Sequence, residues 1–223
     1  VQKTAFRDAA RAQESWLAPY EKRALVFLAR RMPARIHSDH LTLLGFAAMF
    51  GAGVCYTLSR YDRRALLLVI VCLFLNWFGD SLDGTLARVR NRLRPRYGFY
   101  VDHITDAFGT LFLLGGLALS GHMHPGIAAG LLVVYFLLSI EVYLATYTIG
   151  TFHLSFCKFS PTELRLLLIA GNIALFFKPV VRLFGGDYRL FDVGGAIGAA
   201  GMAILAAVAA IRHTRELYRA ESS

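Results

Sequence analysis

The sequence predicts an all-α integral membrane protein: six transmembrane helices preceded by an N-terminal amphipathic helix on the membrane surface. Three observations carry this. The 223 residues are 56% hydrophobic and only 17% charged, with a mean hydropathy of +0.49, whereas a soluble domain carries about a quarter charged residues. The apolar residues come in six blocks, each approaching the roughly 20 residues that a bilayer-crossing helix needs. The basic residues, finally, fall on alternate sides of those blocks. Disorder and an ordinary cytosolic enzyme are both excluded by this composition. The net charge of +9 comes with no nucleic-acid-binding motif and suits side chains that face anionic headgroups.

Residues 1–37 lack the short apolar core and small-residue cleavage site of a signal peptide. Trp16, Leu17, Leu25, Val26 and Leu28 are interspersed with Lys22, Arg23, Arg30, Arg31 and Arg35, the pattern of a basic helix lying in the membrane interface. A helix packed on the protein itself is the competing reading. Residues 38–223 form the six-span domain, with blocks at 41–59, 65–87, 99–121, 126–147, 164–177 and 193–211. The fifth block is the shortest and needs neighbouring polar residues to complete its length. With both termini cytoplasmic, 18 Lys and Arg fall inside and 6 outside, which satisfies the positive-inside rule. In a bacterial cell this is the cytoplasmic membrane. Cys55, Cys72 and Cys157 have no metal-ligand spacing and read as small core residues.

Asp80, Asp83, Asp102 and Asp106 stand in the wrong solvent. A carboxylate at the centre of a membrane helix costs about 2.5–3.5 kcal/mol, so intramembrane acids are functional candidates by default. Asp80 and Asp83 are three residues apart and Asp102 and Asp106 four, so each pair shares a helix face. Both pairs flank the 89–97 connection between consecutive antiparallel spans, which brings them together. Converging carboxylates repel one another, so they share protons or hold cations. Hard oxygen ligands without a His or Cys cluster suit Mg²⁺, Mn²⁺ or Ca²⁺ rather than zinc. Gly84 and Gly98 would let a flat base or a diphosphate approach closely, or serve helix packing. Arg88, Arg90, Arg92, Arg94 and Arg96 are able to clamp phosphate, or carry topological charge.

The run Asp80-x-x-Asp83-Gly84-x-x-Ala87-Arg88, then nine residues, then Gly98-x-x-x-Asp102-x-x-x-Asp106, resembles the signature of the CDP-alcohol phosphotransferase family at all eight defining positions. The resemblance implies transfer of a substituted phosphate from a CDP-linked donor to an alcohol, releasing CMP, in phospholipid biosynthesis. It implies two divalent cations per subunit, Mg²⁺ or Mn²⁺, held by Asp80, Asp83, Asp102 and Asp106. Asp106 would also be the general base on the acceptor hydroxyl, with Gly84 and Gly98 leaving room for the donor and Arg88 facing its phosphates. A homodimer with cytoplasmic active sites is implied too. One substrate would be a membrane lipid, with CDP-diacylglycerol the favoured donor; a CDP-aminoalcohol with diacylglycerol as acceptor is the alternative.

Ser38-Asp39-His40-Leu41-Thr42 resembles a proline-asparagine-x-leucine-threonine segment of relatives, with Asp39 in place of the asparagine and Ser38 of the proline. It places Asp39 and Thr42 near the nucleotide, or makes an ordinary helix cap. Ser160-Pro161-Thr162-Glu163 is similar to a glycine-proline-threonine-glutamate segment, with Ser160 in place of the glycine. Lys158, Thr162, Glu163 and Arg165 are candidates for the acceptor pocket, against a capping motif with Pro161 early in the helix. Glu141 binds the acceptor or pairs with a base such as Arg165. Asn172 is expected to hydrogen-bond between helices and the glycines at 194, 195, 198 and 201 to pack against a helix or a second subunit; His103 has no assigned role. An ion-coupled transporter would also place acids in the membrane, but all four cluster at one face and no pair of broken helices marks a midplane site. A catalytically dead scaffold is disfavoured because no motif residue is missing.

Overall fold

The computed structural model describes residues 18–149 and 161–222; Trp16, Leu17, Cys157, Lys158 and Ser160 lie outside them. The described chain is helical apart from one small hairpin. Its elements are α1 (Ala18–Arg31), α2 (Ser38–Leu58), α3 (Ala65–Val89), α4 (Pro95–Ser120), α5 (Pro125–Ile149), α6 (Pro161–Phe177), β1 (Val180–Leu183), β2 (Gly186–Arg189) and α7 (Leu190–Glu221). Among the described residues, five helices are long and apolar enough to cross a membrane: α2, α3, α4, α5 and α7. The 17 residues of α6 fall just short of that length. Large apolar side chains such as Phe50, Leu68, Val133, Leu137, Ile204 and Val208 are exposed along the spans. Such a surface belongs in hydrocarbon, where helices satisfy their own backbone groups.

α2 is the spine. It packs on both α3 and α4, which make little direct contact with each other. Glycines set both approaches. A Cβ at Gly79 of α3 would lie 2.5 Å from the Leu41 carbonyl oxygen and 2.7 Å from the Gly45 nitrogen. Gly53 of α2 and Gly116 of α4 meet backbone to backbone in the same way. Small residues bring membrane helices this close because lipid offers no hydrophobic drive for association. The main core joins Tyr56, Leu66, Val69, Leu73, Leu113, Leu117, Leu175 and Phe191. Asn172 of α6 donates to the Tyr56 hydroxyl across 2.7 Å, the interhelical bond expected from the sequence.

A second core seats α1. Leu25 and Ala29 pack against Leu41, Leu82 and Leu86, while Lys22, Arg23, Arg30 and Arg31 are exposed. Arg90 then donates to the carbonyls of Met32 (2.9 Å), Pro33 (2.9 Å) and Ile36, tying down the link from α1 to α2.

The hairpin was not expected. Phe184 and Gly185 both have positive φ, 49° and 83°, as a two-residue hairpin turn requires. It reverses the chain between α6 and α7, with Val180 opposite Arg189. As a result α7 starts at Leu190 and runs to Glu221, longer at both ends than the block at 193–211.

Candidate active site

Because α3 and α4 both lie on α2 without touching much, a cleft runs between them with α2 as its floor. Thr42, Gly45, Phe46 and Met49 of α2, Asn76 and Asp80 of α3, and Thr105 and Asp106 of α4 line it. The connection that closes this end of the bundle is short, with Asn91 at φ 53°. α4 begins at Pro95 in its first turn, where a missing N–H costs nothing. The carboxylates therefore reach across the cleft from opposite walls.

Asp80, Asp102 and Asp106 meet there: one oxygen from each lies within 4.8 Å of the others. Asp83 stands beside them, bonded to a residue that lines the same cleft. Its Oδ2 accepts a hydrogen bond from the Thr42 hydroxyl at 2.6 Å. Three of the four expected acids thus converge, and the fourth adjoins them through Thr42 of α2. Three positions along a helix leave side chains about 60° apart around the axis, so Asp80 reaches Arg165 of α6 while Asp83 reaches Thr42 of α2. The donor set of three hard, half-buried oxygens fits Mg²⁺ or Mn²⁺.

Gly84 and Gly98 do not pack against another helix. A Cβ at Gly84 would meet only the side chain of Arg88, at 3.7 Å, and one at Gly98 nothing within 4 Å. Helix packing within the described chain thus does not explain either glycine, and both leave open surface beside the acids. Arg88 donates from Nε to the Gly84 carbonyl at 3.1 Å. Asp39, half exposed, is ion-paired with Arg94, whose guanidinium the carboxylate pushes further up from its ordinary pKa. The pair stands at a cavity of about 350 Å³ lined by His37, Ser38, Ala87, Arg90 and Arg92.

The α6 candidates divide. Arg165 enters the acidic cluster: its Nη2 lies 2.6 Å from Asp80 Oδ2 and its Nε donates to Asn76 Oδ1 at 2.8 Å. Thr162 instead donates to Glu21 Oε1 at 2.9 Å. That same oxygen accepts from Trp77 Nε1 at 2.8 Å and the Ser81 hydroxyl at 3.4 Å, so Glu21 of α1 joins α3 to α6. Glu163 sits half-buried in the first turn of α6. Glu141 pairs not with Arg165 but with His213 of α7, Oε1 to Nδ1 at 2.5 Å. His103 lies against Phe99 (4.1 Å between centroids) and meets Tyr143 of α5 edge to face (4.9 Å).

Sequence reasoning passed over Asn76 and Glu21. Asn76 had a signal: it is four residues before Asp80, on the same face of an otherwise apolar block. Glu21 had a weaker one, a lone acid in a basic helix.

The family model for CDP-alcohol phosphatidyltransferase matches residues 35–211, from the start of α2 through most of α7. The chain belongs to the CDP-alcohol phosphatidyltransferase family. No match was found among curated proteins. As a CDP-alcohol phosphatidyltransferase it is a membrane transferase of phosphate groups, working on a CDP-alcohol. The match contains every acid of the cleft, the two open glycines and Arg165.

Proposed function

We propose that this family member moves a phosphatidyl group from CDP-diacylglycerol to a small soluble alcohol, releasing CMP, with Mg²⁺ or Mn²⁺. The observation that carries the reading is the convergence of Asp80, Asp102 and Asp106 within 4.8 Å beside glycines whose faces are open. Asp80, Asp102 and Asp106, with Asp83 held by Thr42, would hold two divalent cations. Such cations, when bound, neutralise the donor's diphosphate and stabilise the leaving phosphate.

The chain's own residues do the rest. Asp106, within the cleft between α3 and α4, takes the proton of the acceptor hydroxyl. The acceptor oxygen bonds to the phosphorus that carries the lipid, and the bond from that phosphorus to the bridging oxygen of CMP breaks. Gly84 and Gly98 admit the donor, Arg88 faces its phosphates, and Asp39 and Thr42 line the nucleotide side. Arg165, with Lys158, Thr162 and Glu163, forms the acceptor side. Glu141, tied to His213, steadies the α5–α7 wall behind it.

In this reading α6 is the fifth of six spans, and residues 38–223 form one six-span domain behind a juxtamembrane segment, 1–37. The exposed basic face of α1 rests on anionic lipid. Both termini and the site face the cytoplasm, and the protein works as a homodimer. The compact chain and its surface-lying α1 favour the lipid-linked donor. The test is CMP release by the purified protein over a panel of CDP-diacylglycerol and CDP-aminoalcohols with soluble alcohols or diacylglycerol. CMP formed only from CDP-diacylglycerol supports the proposal; CMP formed only from a CDP-aminoalcohol reverses donor and acceptor.

A further inference from the structure

Arg165 is held more firmly than an acceptor-binding side chain requires. Its Nε donates to Asn76 Oδ1 at 2.8 Å and its Nη2 to Asp80 Oδ2 at 2.6 Å. Asn76 and Asp80 are four residues apart on α3, so the two acceptors stand one above the other on one helix face. The planar guanidinium from α6 spans them. Asn76 is itself anchored, since its Nδ2 donates to the Gly45 carbonyl of α2 at 3.1 Å, and it is only 5% exposed. The Arg165 side chain is 13% exposed. A fixed positive charge thus stands against one of the three carboxylates that converge in the cleft.

An ion pair that merely joined α3 to α6 would use a carboxylate with no other work. Asp80 is instead one member of the trio. A charge at this distance, in a half-buried setting, acts strongly on anything the trio holds. It reduces the cluster's formal charge from −3 to −2, and it occupies one oxygen of Asp80 while orienting the other.

Resting on the metal-dependent reading above, we propose that Arg165 is a positioning residue that weakens the hold of the acidic cluster on divalent cations, making tight cation binding depend on the donor's diphosphate. The donor's negative charge supplies what Arg165 cancels. Cations and nucleotide then bind together, and the cations' grip loosens once CMP departs.

The test is Mn²⁺ binding by electron paramagnetic resonance, on the full chain in detergent, with and without CDP. Wild type is expected to bind Mn²⁺ at least tenfold more tightly with CDP. Arg165→Met is expected to bind Mn²⁺ alone at least tenfold more tightly than wild type, to show a smaller gain from CDP, and to lose turnover. Tighter cation binding together with lower turnover is a pairing that a merely structural role would not produce. Arg165→Lys retains the charge and is expected to keep wild-type Mn²⁺ affinity within about threefold, which also serves if Arg165→Met fails to fold. Equal or weaker Mn²⁺ binding by folded Arg165→Met, or a tenfold change in Arg165→Lys, overturns the proposal. Absence of Mn²⁺ binding by wild type with CDP would instead overturn the metal reading itself.

Discussion

Glu21 offers a test of how the surface helix supports the site. Its Oε1 receives Trp77 Nε1 at 2.8 Å and the Thr162 hydroxyl at 2.9 Å, with Ser81 more distant at 3.4 Å. Glu21→Ala removes the acceptor and leaves two good donors behind. Hydrogen bonds to a charged group are each worth about 1.5–3 kcal/mol. Glu21 is half-buried, so its ability to recruit water discounts the loss to about 2–4 kcal/mol in total. For a chain of this size, 1 kcal/mol moves the unfolding temperature by about 2–4 °C. Intrinsic fluorescence in detergent should therefore show Tm falling by about 5–10 °C. Thr162 and Arg165 lie one turn apart on α6, so turnover should fall as well. Glu21→Gln retains an acceptor oxygen and should lose less than half as much Tm. A Glu21→Ala protein that melts within about 1 °C of wild type would refute the reasoning.

Three further outcomes are expected. Asp106→Asn should lower turnover at least a hundredfold, the range of general-base catalysis, while the melting temperature stays close to wild type; near-normal turnover would remove Asp106 as the base. Gly79→Ala should destabilise by about 1–3 kcal/mol, because its methyl group would meet backbone of α2 at 2.5 Å; Gly98→Ala, with open space around it in α4, should hold or slightly raise Tm and weaken donor binding. Burial, then the charges of Arg63 and Arg189, holds the His122 imidazole below its ordinary pKa. The unfolded chain therefore binds that proton more readily, and stability should rise with pH through the window below about 6.5, by up to about 1.4 kcal/mol per pH unit. His122→Asn should flatten that slope in melts between pH 5 and 7.5, and an unchanged slope would discard the assignment.

The site was legible in the sequence because charge in an apolar block is costly and helical spacing is regular. Asp80, Asp102 and Asp106 could be placed together from those two facts and the short connection between their helices. The different hydrogen-bond partners of Asp80 and Asp83 were not legible, since shared-face arithmetic tolerates an angular offset that decides which neighbour a side chain reaches. Partners distant in sequence were hidden for the same reason. Nothing in the chain order announces that His213 meets Glu141, or that Glu21 meets Thr162; both follow from which helices pack side by side. The hairpin at 180–189 escaped because its strands are four residues each, too short for alternation to stand out between two long helices. The length of α6, at 17 residues, agrees with the fifth block being the shortest.

The central claim is that carboxylates on facing walls of the α3–α4 cleft grip cations together with a CDP-linked donor. Anomalous scattering from crystals grown with Mn²⁺ and CDP-diacylglycerol tests it most directly. The expected map has manganese peaks at about 2.1–2.2 Å from oxygens of Asp80, Asp102 and Asp106, slightly beyond the 2.0–2.1 Å typical of Mg²⁺, with the diphosphate against them. Manganese found only outside the cleft, or a diphosphate seated away from these carboxylates, would contradict it.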